Sequence, residues 1–294
     1  MDEPGRLFSS GTWAPNLFAG KVVFCTGGAG TICSAQVKAL VILGANAAII
    51  GRRSAIATAA AKEIQSLRPG SLVVGISGDV RSVDSMKVAV ARTVKELGRI
   101  DFLICGAAGN FLSPFDNLSA NAFKTVIDID LLGSFNATKA CADELKRSRG
   151  RIIYISATLH YAGAALQTHA VAAKAGVDAL SSQMCIEYGP IGVTSNVIAP
   201  GGIARTEGLT RLNDKSTWTK SQKMIPLQRW GTVSEIADAT IFLFSPAAKY
   251  ISGAIVPVDG GAWHMQSVVT SGTEYPENVL GDGINRVEEA ASKL

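Results

Sequence analysis

The chain has 294 residues, with hydrophobic residues at 47%, charged residues at 18% and a net charge of +4. This is ample material for a folded core, and it excludes a disordered or strongly charged chain. With no Lys/Arg block and no interleaved aromatics, the weak basic excess excludes a nucleic-acid binder and suits a small anionic ligand.

Strand and helix patterns alternate along the chain. The N-terminal stretch MDEPGRLFSS has the character of neither a signal nor a transit peptide. The pattern predicts strands at Lys21–Thr26, Ala47–Ile50, Leu72–Ile76, Asp101–Cys105, Arg151–Ser156, Val193–Ile198 and Ile255–Val258. Helices are expected up to Gly44, up to Leu67, through Val83–Val94, and over Asn121–Lys146, Gln167–Tyr188 and Val233–Phe244. Strands that are apolar throughout are buried on both faces, which requires a parallel sheet covered by helices. The expected fold is α/β: a Rossmann-like doubly wound parallel sheet of about seven strands with helices on both faces. The expected organisation is an N-terminal extension over 1–17, one domain over 18–264 and a tail over 265–294. No uncharged stretch is apolar enough for a membrane span. Cys25, Cys33, Cys105, Cys141 and Cys185 lack metal or disulfide spacing and read as small buried hydrophobes in a reducing compartment. No metal is expected. The last three residues, Ser292-Lys293-Leu294, form a peroxisomal address read by an import receptor.

Ligands on such sheets bind at the carboxyl ends of the strands. After the first strand comes Thr26-Gly27-Gly28-Ala29-Gly30-Thr31-Ile32-Cys33, a glycine-rich turn entering a helix. Backbone N–H groups and the helix dipole can there approach a pyrophosphate. The second strand ends at Arg52-Arg53, with no acid to bind a ribose 2′-hydroxyl. Two arginines pair instead with a 2′-phosphate, so NADPH is the expected cofactor. Asp79-Val80 could flank adenine, and Ala107-Ala108-Gly109 lets the backbone approach a ligand closely.

These pieces, with Lys174 in Ala-Lys-Ala, Asn196 to Pro200-Gly201 and Val258-Asp-Gly-Gly261, resemble the short-chain dehydrogenase/reductase family over about residues 18–262. The glycine turn departs from that family's T-G-x-x-x-G-x-G, because the later glycines fall on Thr31 and Cys33. The Thr31 hydroxyl could donate to phosphate instead. The family's usual Asn, Ser and Tyr positions hold Asp130, Ala157 and Ala170, and only Lys174 is kept. Ordinary alcohol chemistry needs that Tyr as acid and base.

The chain is similar, in just these places, to the branch of peroxisomal 2,4-dienoyl-CoA reductases, especially the fungal form. The shared pieces are Ala107 to Phe111, Asp128-Ile-Asp130, Ala157-Thr-Leu159 and Thr206-Glu-Gly-Leu209, with the C-terminal address. The resemblance implies an acyl-CoA substrate, a 3-enoyl-CoA product, and a place in β-oxidation of unsaturated fatty acids. It also implies a homodimer or homotetramer. It assigns Lys174 to the nicotinamide ribose, and Pro200, Gly201, Ile203 and Thr206 to a loop around the nicotinamide and pyrophosphate. Asp130 is expected to orient a water or share a proton with Lys174. Asn110 and Phe111 are expected beside the acyl channel. Ser119 and Asn121 are expected near the acyl-CoA, Ser119 also as a helix N-cap, and Arg81 against a CoA phosphate. Glu207–Ile225 resembles a substrate flap, and Asp178, one turn after Lys174, is expected to pair with it. A trans-2-enoyl-CoA or carbonyl reductase and a non-catalytic NADPH binder stay open as alternatives.

Overall fold

The structure, a computed structural model, describes residues 7–8, 11–161, 163–212 and 218–265. Short apolar strands alternate with helices from the start. In chain order these are β1 (Val22–Thr26), α1 (Thr31–Ile42), β2 (Asn46–Gly51), α2 (Ser54–Gln65), β3 (Val73–Ser77), α3 (Val83–Leu97) and β4 (Phe102–Cys105). There follow α4 (Ala120–Ile127), α5 (Gly133–Ser148), β5 (Arg151–Ile155), α6 (Thr168–Tyr188) and β6 (Thr194–Pro200). The chain closes with α7 (Glu207–Leu212), α8 (Trp218–Lys223), α9 (Val233–Phe244) and β7 (Ile255–Val258).

The seven strands form one sheet in the order β3-β2-β1-β4-β5-β6-β7. Every neighbouring pair is parallel. The chain reverses its winding direction between β1 and β4, which opens a crevice at their carboxyl ends. The period of two along each strand divides its side chains between two cores. Val23, Cys25, Ile49 and Ile104 pack with α1, α2 and α9 on one face. Phe24, Ile50, Leu103 and Tyr154 pack with α3, α5 and α6 on the other. The doubly wound sheet therefore follows directly from the unbroken apolar strands.

The helix ends carry their own signals. Ser82 caps α3 by accepting from the Ser85 N–H at 3.2 Å, and Gly98 ends it at φ 86°. Ser119 caps α4 through the Ala122 N–H at 3.1 Å. Thr232 and Glu235 form a capping box on α9, and the Arg229 guanidinium holds the Glu235 carboxyl below the usual range.

One departure from the sequence reading concerns the expected single helix over Asn121–Lys146. Helical backbone does run on from α4 into α5, but Asp128–Leu132 between them form a π-helical turn. Such a turn inserts one extra residue and re-aims the side chains on it. It carries Asp130, whose carbonyl accepts from the Ser134 hydroxyl at 2.6 Å. Tertiary contacts hold the turn in place. A Cβ on Gly133 would fall 2.7 Å from Val80 Cγ2, and one on Gly176 of α6 would fall 2.7 Å from Leu131 Cδ2.

Close packing also fixes α2 on β3. A Cβ on Gly75 would stand 2.5 Å from the carbonyl carbon and oxygen of Ala57 and from the Thr58 nitrogen. Backbone cannot yield there as a flexible side chain could. Gly75→Ala should therefore lower stability by about 1–3 kcal/mol, the usual cost of overpacking. Denaturant unfolding checks this, and an unchanged midpoint would show that α2 shifts freely.

Candidate active site

The glycine turn after β1 leaves the sheet at the crevice. Gly27 has φ +67°, and a Cβ there would stand 2.8 Å from the Gly106 carbonyl oxygen and the Ala107 backbone. Only glycine lets these two strand ends lie so close. Thr26 ties them together, its hydroxyl oxygen accepting from the Gly106 N–H at 3.2 Å and the Ala107 N–H at 3.4 Å. Where the usual motif has its last glycine, Cys33 is buried against β4. A Cβ on Gly106 would fall 2.1 Å from its Sγ, so a missing side chain on Gly106 makes room for the thiol. Burial pushes the neighbouring Cys105 thiol up to about 12, which keeps it inert.

Two cavities meet at this turn. The first, about 350 Å³, runs from Gly27 and Gly30 past Arg52 and Arg53 to Asp79, Val80, Ala107 and Ala108. The second, about 320 Å³, is bounded by Thr31, Ile32, Ala108, Gly109, Asn110, Asp130, Lys174, Pro200 and Thr206. The N-terminus of α1 lies between them. It has no side-chain cap and no acid in its first turn, so its orphan N–H groups and dipole remain available to an anion. Exposed Arg52 and Arg53 stand at the far end of the first cavity. This donor set fits a nicotinamide dinucleotide: cations at one end, an uncapped helix N-terminus in the middle, and Lys174 at the other end.

Lys174 and Asp130 form the centre of the second cavity. Lys174 Nζ lies 3.0 Å from Asp130 Oδ2, with side chains 11% and 1% exposed. Nζ also donates to the Ile155 carbonyl at 3.0 Å. The other Asp130 oxygen accepts from the Gly109 N–H at 2.7 Å. A buried charge is thus paired and hydrogen-bonded on both sides, as burial demands. Ala157 and Ala170 line the same cavity with methyl groups where a Ser and a Tyr were expected of the family. They leave open space beside the ion pair.

Several expected residues stand elsewhere. Gly28, Gly201 and Ile203 line neither cavity. A Cβ on Gly28 would meet the Cys25 carbonyl oxygen at 3.1 Å, and one on Gly201 would meet Asp259 Cβ at 2.6 Å, so both serve close packing. Ile203 is buried and bridges to Gly231. Ser119 and Asn121 are exposed at the start of α4, and Ser119 acts there as the N-cap. Arg81 is drawn to Asp79, at 2.6 Å between Nη2 and Oδ2, and holds that carboxyl below its usual range. Phe111 packs against the His169 ring with centroids 4.2 Å apart. The Asn110 amide donates to Gln167 Oε1 at 2.7 Å, which ties the loop after β4 to the start of α6.

The expected Asp178–Lys174 pair is corrected. Lys174 turns to Asp130, and Asp178 Oδ2 lies 2.8 Å from His160 Nε2. The π turn explains this, because it brings Asp130 within reach of Nζ. Sequence reasoning missed Glu207, which lines both cavities. It also left His169 without a role. That residue is fully buried, and neither ring nitrogen has a partner among the described residues. Burial pushes its imidazole below the usual range, with the Asp130 carboxylate pulling the other way. Ser292-Lys293-Leu294 lie outside the described residues.

The family model "Enoyl-(Acyl carrier protein) reductase" matches residues 27–263. The chain is 51% identical over 279 residues to the peroxisomal 2,4-dienoyl-CoA reductase ((3E)-enoyl-CoA-producing) of Saccharomyces cerevisiae, covering 94% of this chain and 95% of that one. It is 43% identical to the enzyme of the same name from Danio rerio, covering 85% and 84%. Among solved structures, levodione reductase superposes with a TM-score of 0.80 at 26% identity, covering 84% of this chain and 99% of that one. A short chain dehydrogenase from Bacillus anthracis gives 0.74 at 33%, covering 83% and 96%. The chain belongs to the short-chain dehydrogenase/reductase family, within its group of peroxisomal 2,4-dienoyl-CoA reductases.

Proposed function

We propose that this protein reduces 2,4-dienoyl-CoA to 3-enoyl-CoA in the peroxisome, with NADPH as reductant, during β-oxidation of unsaturated fatty acids. The single observation that carries this reading is the buried Asp130–Lys174 pair standing beside Ala157 and Ala170. A reductase acting on alcohols needs a phenol at that wall to move a hydroxyl proton. A conjugated dienoyl thioester has no such proton. Hydride enters at C5, charge spreads to the thioester oxygen, and C2 is protonated.

Bound nicotinamide would supply the hydride. The chain's own residues do the rest. Arg52 and Arg53 take the 2′-phosphate, and the N-terminus of α1 with Thr31 and Ile32 takes the pyrophosphate. Lys174 holds the ribose hydroxyls and lends positive field to the developing oxyanion. Asp130, fixed by Gly109 and Lys174, orients a water or shares a proton for C2. Asn110 and Phe111 border the acyl channel; Arg81 reaches a CoA phosphate once it leaves Asp79, while Ser119 and Asn121 face the acyl-CoA from the start of α4. Half-exposed Leu132 and Phe135 favour a homodimer or homotetramer, in which a second copy would cover them. Ser292-Lys293-Leu294 would deliver the chain to the import receptor.

The decisive assay mixes purified protein, NADPH and a medium-chain 2,4-dienoyl-CoA and follows loss of NADPH absorbance, with the matching 2-enoyl-CoA as control. Oxidation with the dienoyl substrate alone is expected. Oxidation with the control would point to a broader enoyl reductase, and none with either, despite NADPH binding, to a non-catalytic binder.

Asp130→Ala should cut turnover by roughly 10²–10⁴-fold, the span of acid–base contributions, with NADPH binding retained. Asp130→Asn, which keeps an acceptor for the Gly109 N–H, guards against a mere folding defect. Near-normal turnover in both would remove Asp130 from the chemistry. Arg52→Ala and Arg53→Ala should each weaken NADPH binding by about tenfold, the loss of one charge-assisted bond. NADH binding should barely change, and equal losses for both cofactors in a titration would overturn the 2′-phosphate assignment.

A further inference from the structure

The rim of the second cavity carries apolar side chains that neither the cofactor nor the reacting atoms use. Asn110, on the loop after β4, and Ala170, on α6, both line that cavity. The two segments stay joined as they run outward from it. The Asn110 amide donates to Gln167 Oε1 at 2.7 Å, and Phe111 packs on the His169 ring at 4.2 Å between centroids. Further out, the Ser113 N–H donates to the Leu166 carbonyl at 2.9 Å. That bond sets Leu112, the residue before Ser113, close to Leu166, and Phe115 follows two residues after it. Leu112 is 42% exposed, Leu166 43% and Phe115 75%.

Single exposed apolar residues are ordinary, whereas neighbouring ones beside a ligand cavity mark a contact surface. The backbone gives a second, independent sign. Leu166 has φ +65°, a left-handed conformation that glycine or asparagine adopts far more readily than leucine. The strained residue here holds a large apolar side chain out in water, which is unfavourable twice over for the protein without its ligand. Strain of this kind persists at sites that use it.

Size and charge say which part of the substrate belongs there. The second cavity, about 320 Å³, is small for a ligand site and must take the nicotinamide as well as the dienoyl head. A medium-chain tail therefore has to leave it. Of the two ends of an acyl-CoA only the tail is apolar. The CoA end carries phosphates, and exposed Asp116, next to Phe115, repels anions. We propose that Leu112, Phe115 and Leu166 seat the acyl tail beyond the reacting carbons and so set the preference for chain length. This rests on the dienoyl reduction proposed above and names the part of its substrate held at the rim. The three side chains touch neither the reacting carbons nor the cofactor. They act by taking methylenes out of water, and the same contact covers their own exposed surface.

The test is the ratio of kcat/KM for 2,4-decadienoyl-CoA to that for 2,4-hexadienoyl-CoA, measured in the full chain with NADPH. The two substrates share the CoA and the reacting carbons and differ only in tail length. A methylene taken fully out of water is worth up to about fourfold, so the longer tail on a half-open surface should give a ratio of roughly ten or more in the unmodified protein. Leu166→Asn suits the left-handed backbone, and combined with Leu112→Ser it removes the apolar seat. The ratio should then fall to about two, with Phe115→Ser giving a smaller fall. A ratio near one in the unmodified protein, or one that the substitutions leave unchanged, overturns the tail seat. Equal losses with both substrates would give the patch to the CoA end, and a kept ratio with an altered oligomeric state in sedimentation would give it to a second copy. Either result overturns the proposal. Calorimetric binding of saturated decanoyl-CoA and hexanoyl-CoA to the NADPH-loaded protein reads the same preference without turnover. A tail preference in binding with no dienoyl reduction would sink the reductase reading and keep the seat.

Discussion

The contact on which the site depends is the ion pair between Asp130 and Lys174, buried where four parts of the chain converge. The π turn supplies the carboxylate, α6 the ammonium, the loop after β4 an N–H, and the end of β5 a carbonyl. Each charge is dehydrated, and each is held by a second, uncharged partner. Such a pair adds little net stability, yet losing one partner strands a buried charge at a cost of about 3–5 kcal/mol. Its use is therefore geometric. It fixes the floor of the second cavity, and a ligand reaching in from the first must fit around it.

The two halves of the crevice answer to different physics. The dinucleotide half needs close backbone approach and orphan N–H groups, so it is built from glycine, alanine and an uncapped helix. Here even a departure from the usual glycine pattern is absorbed locally. Cys33 takes up volume on α1 that the side-chain-free Gly106 yields just after β4. The reactive half instead needs a field and a proton source in a dry site, where electrostatic effects are strongest. The methyl groups of Ala157 and Ala170 line that cavity together with the ion pair.

Much of this was legible in the sequence because it depends on local spacing. Seven apolar strands alternating with helices specify a doubly wound sheet, and glycines after β1 mark the crevice. The replaced positions at 130, 157 and 170 became visible only through resemblance to a family, since no rule of composition or periodicity singles out an alanine. What stayed illegible was long-range. Nothing between Asp128 and Leu132 announces a π turn; contacts of Leu131 within it with Gly176, and of the following Gly133 with Val80, hold it there. With the turn unseen, helical spacing alone pairs Lys174 with Asp178. The true partner arrives from another helix, which releases Asp178 to His160. Gly28, Gly201 and Ile203 likewise sit inside motif stretches but serve packing, because a motif records which backbone path is needed and not which side chains face the ligand.

The loss of the family's phenol and hydroxyl is better understood as a change of proton economy than as decay of a site. In alcohol chemistry the proton belongs to the oxygen at the hydride-accepting carbon, so the acid must stand beside the nicotinamide. In a dienoyl thioester the hydride lands at C5 and the proton at C2, three carbons along the chain. One phenol cannot serve both ends of that span. A buried carboxylate–ammonium pair can place field near the thioester end without a phenol beside the nicotinamide. The open space at Ala157 and Ala170 and the anchored Asp130 both fit that requirement.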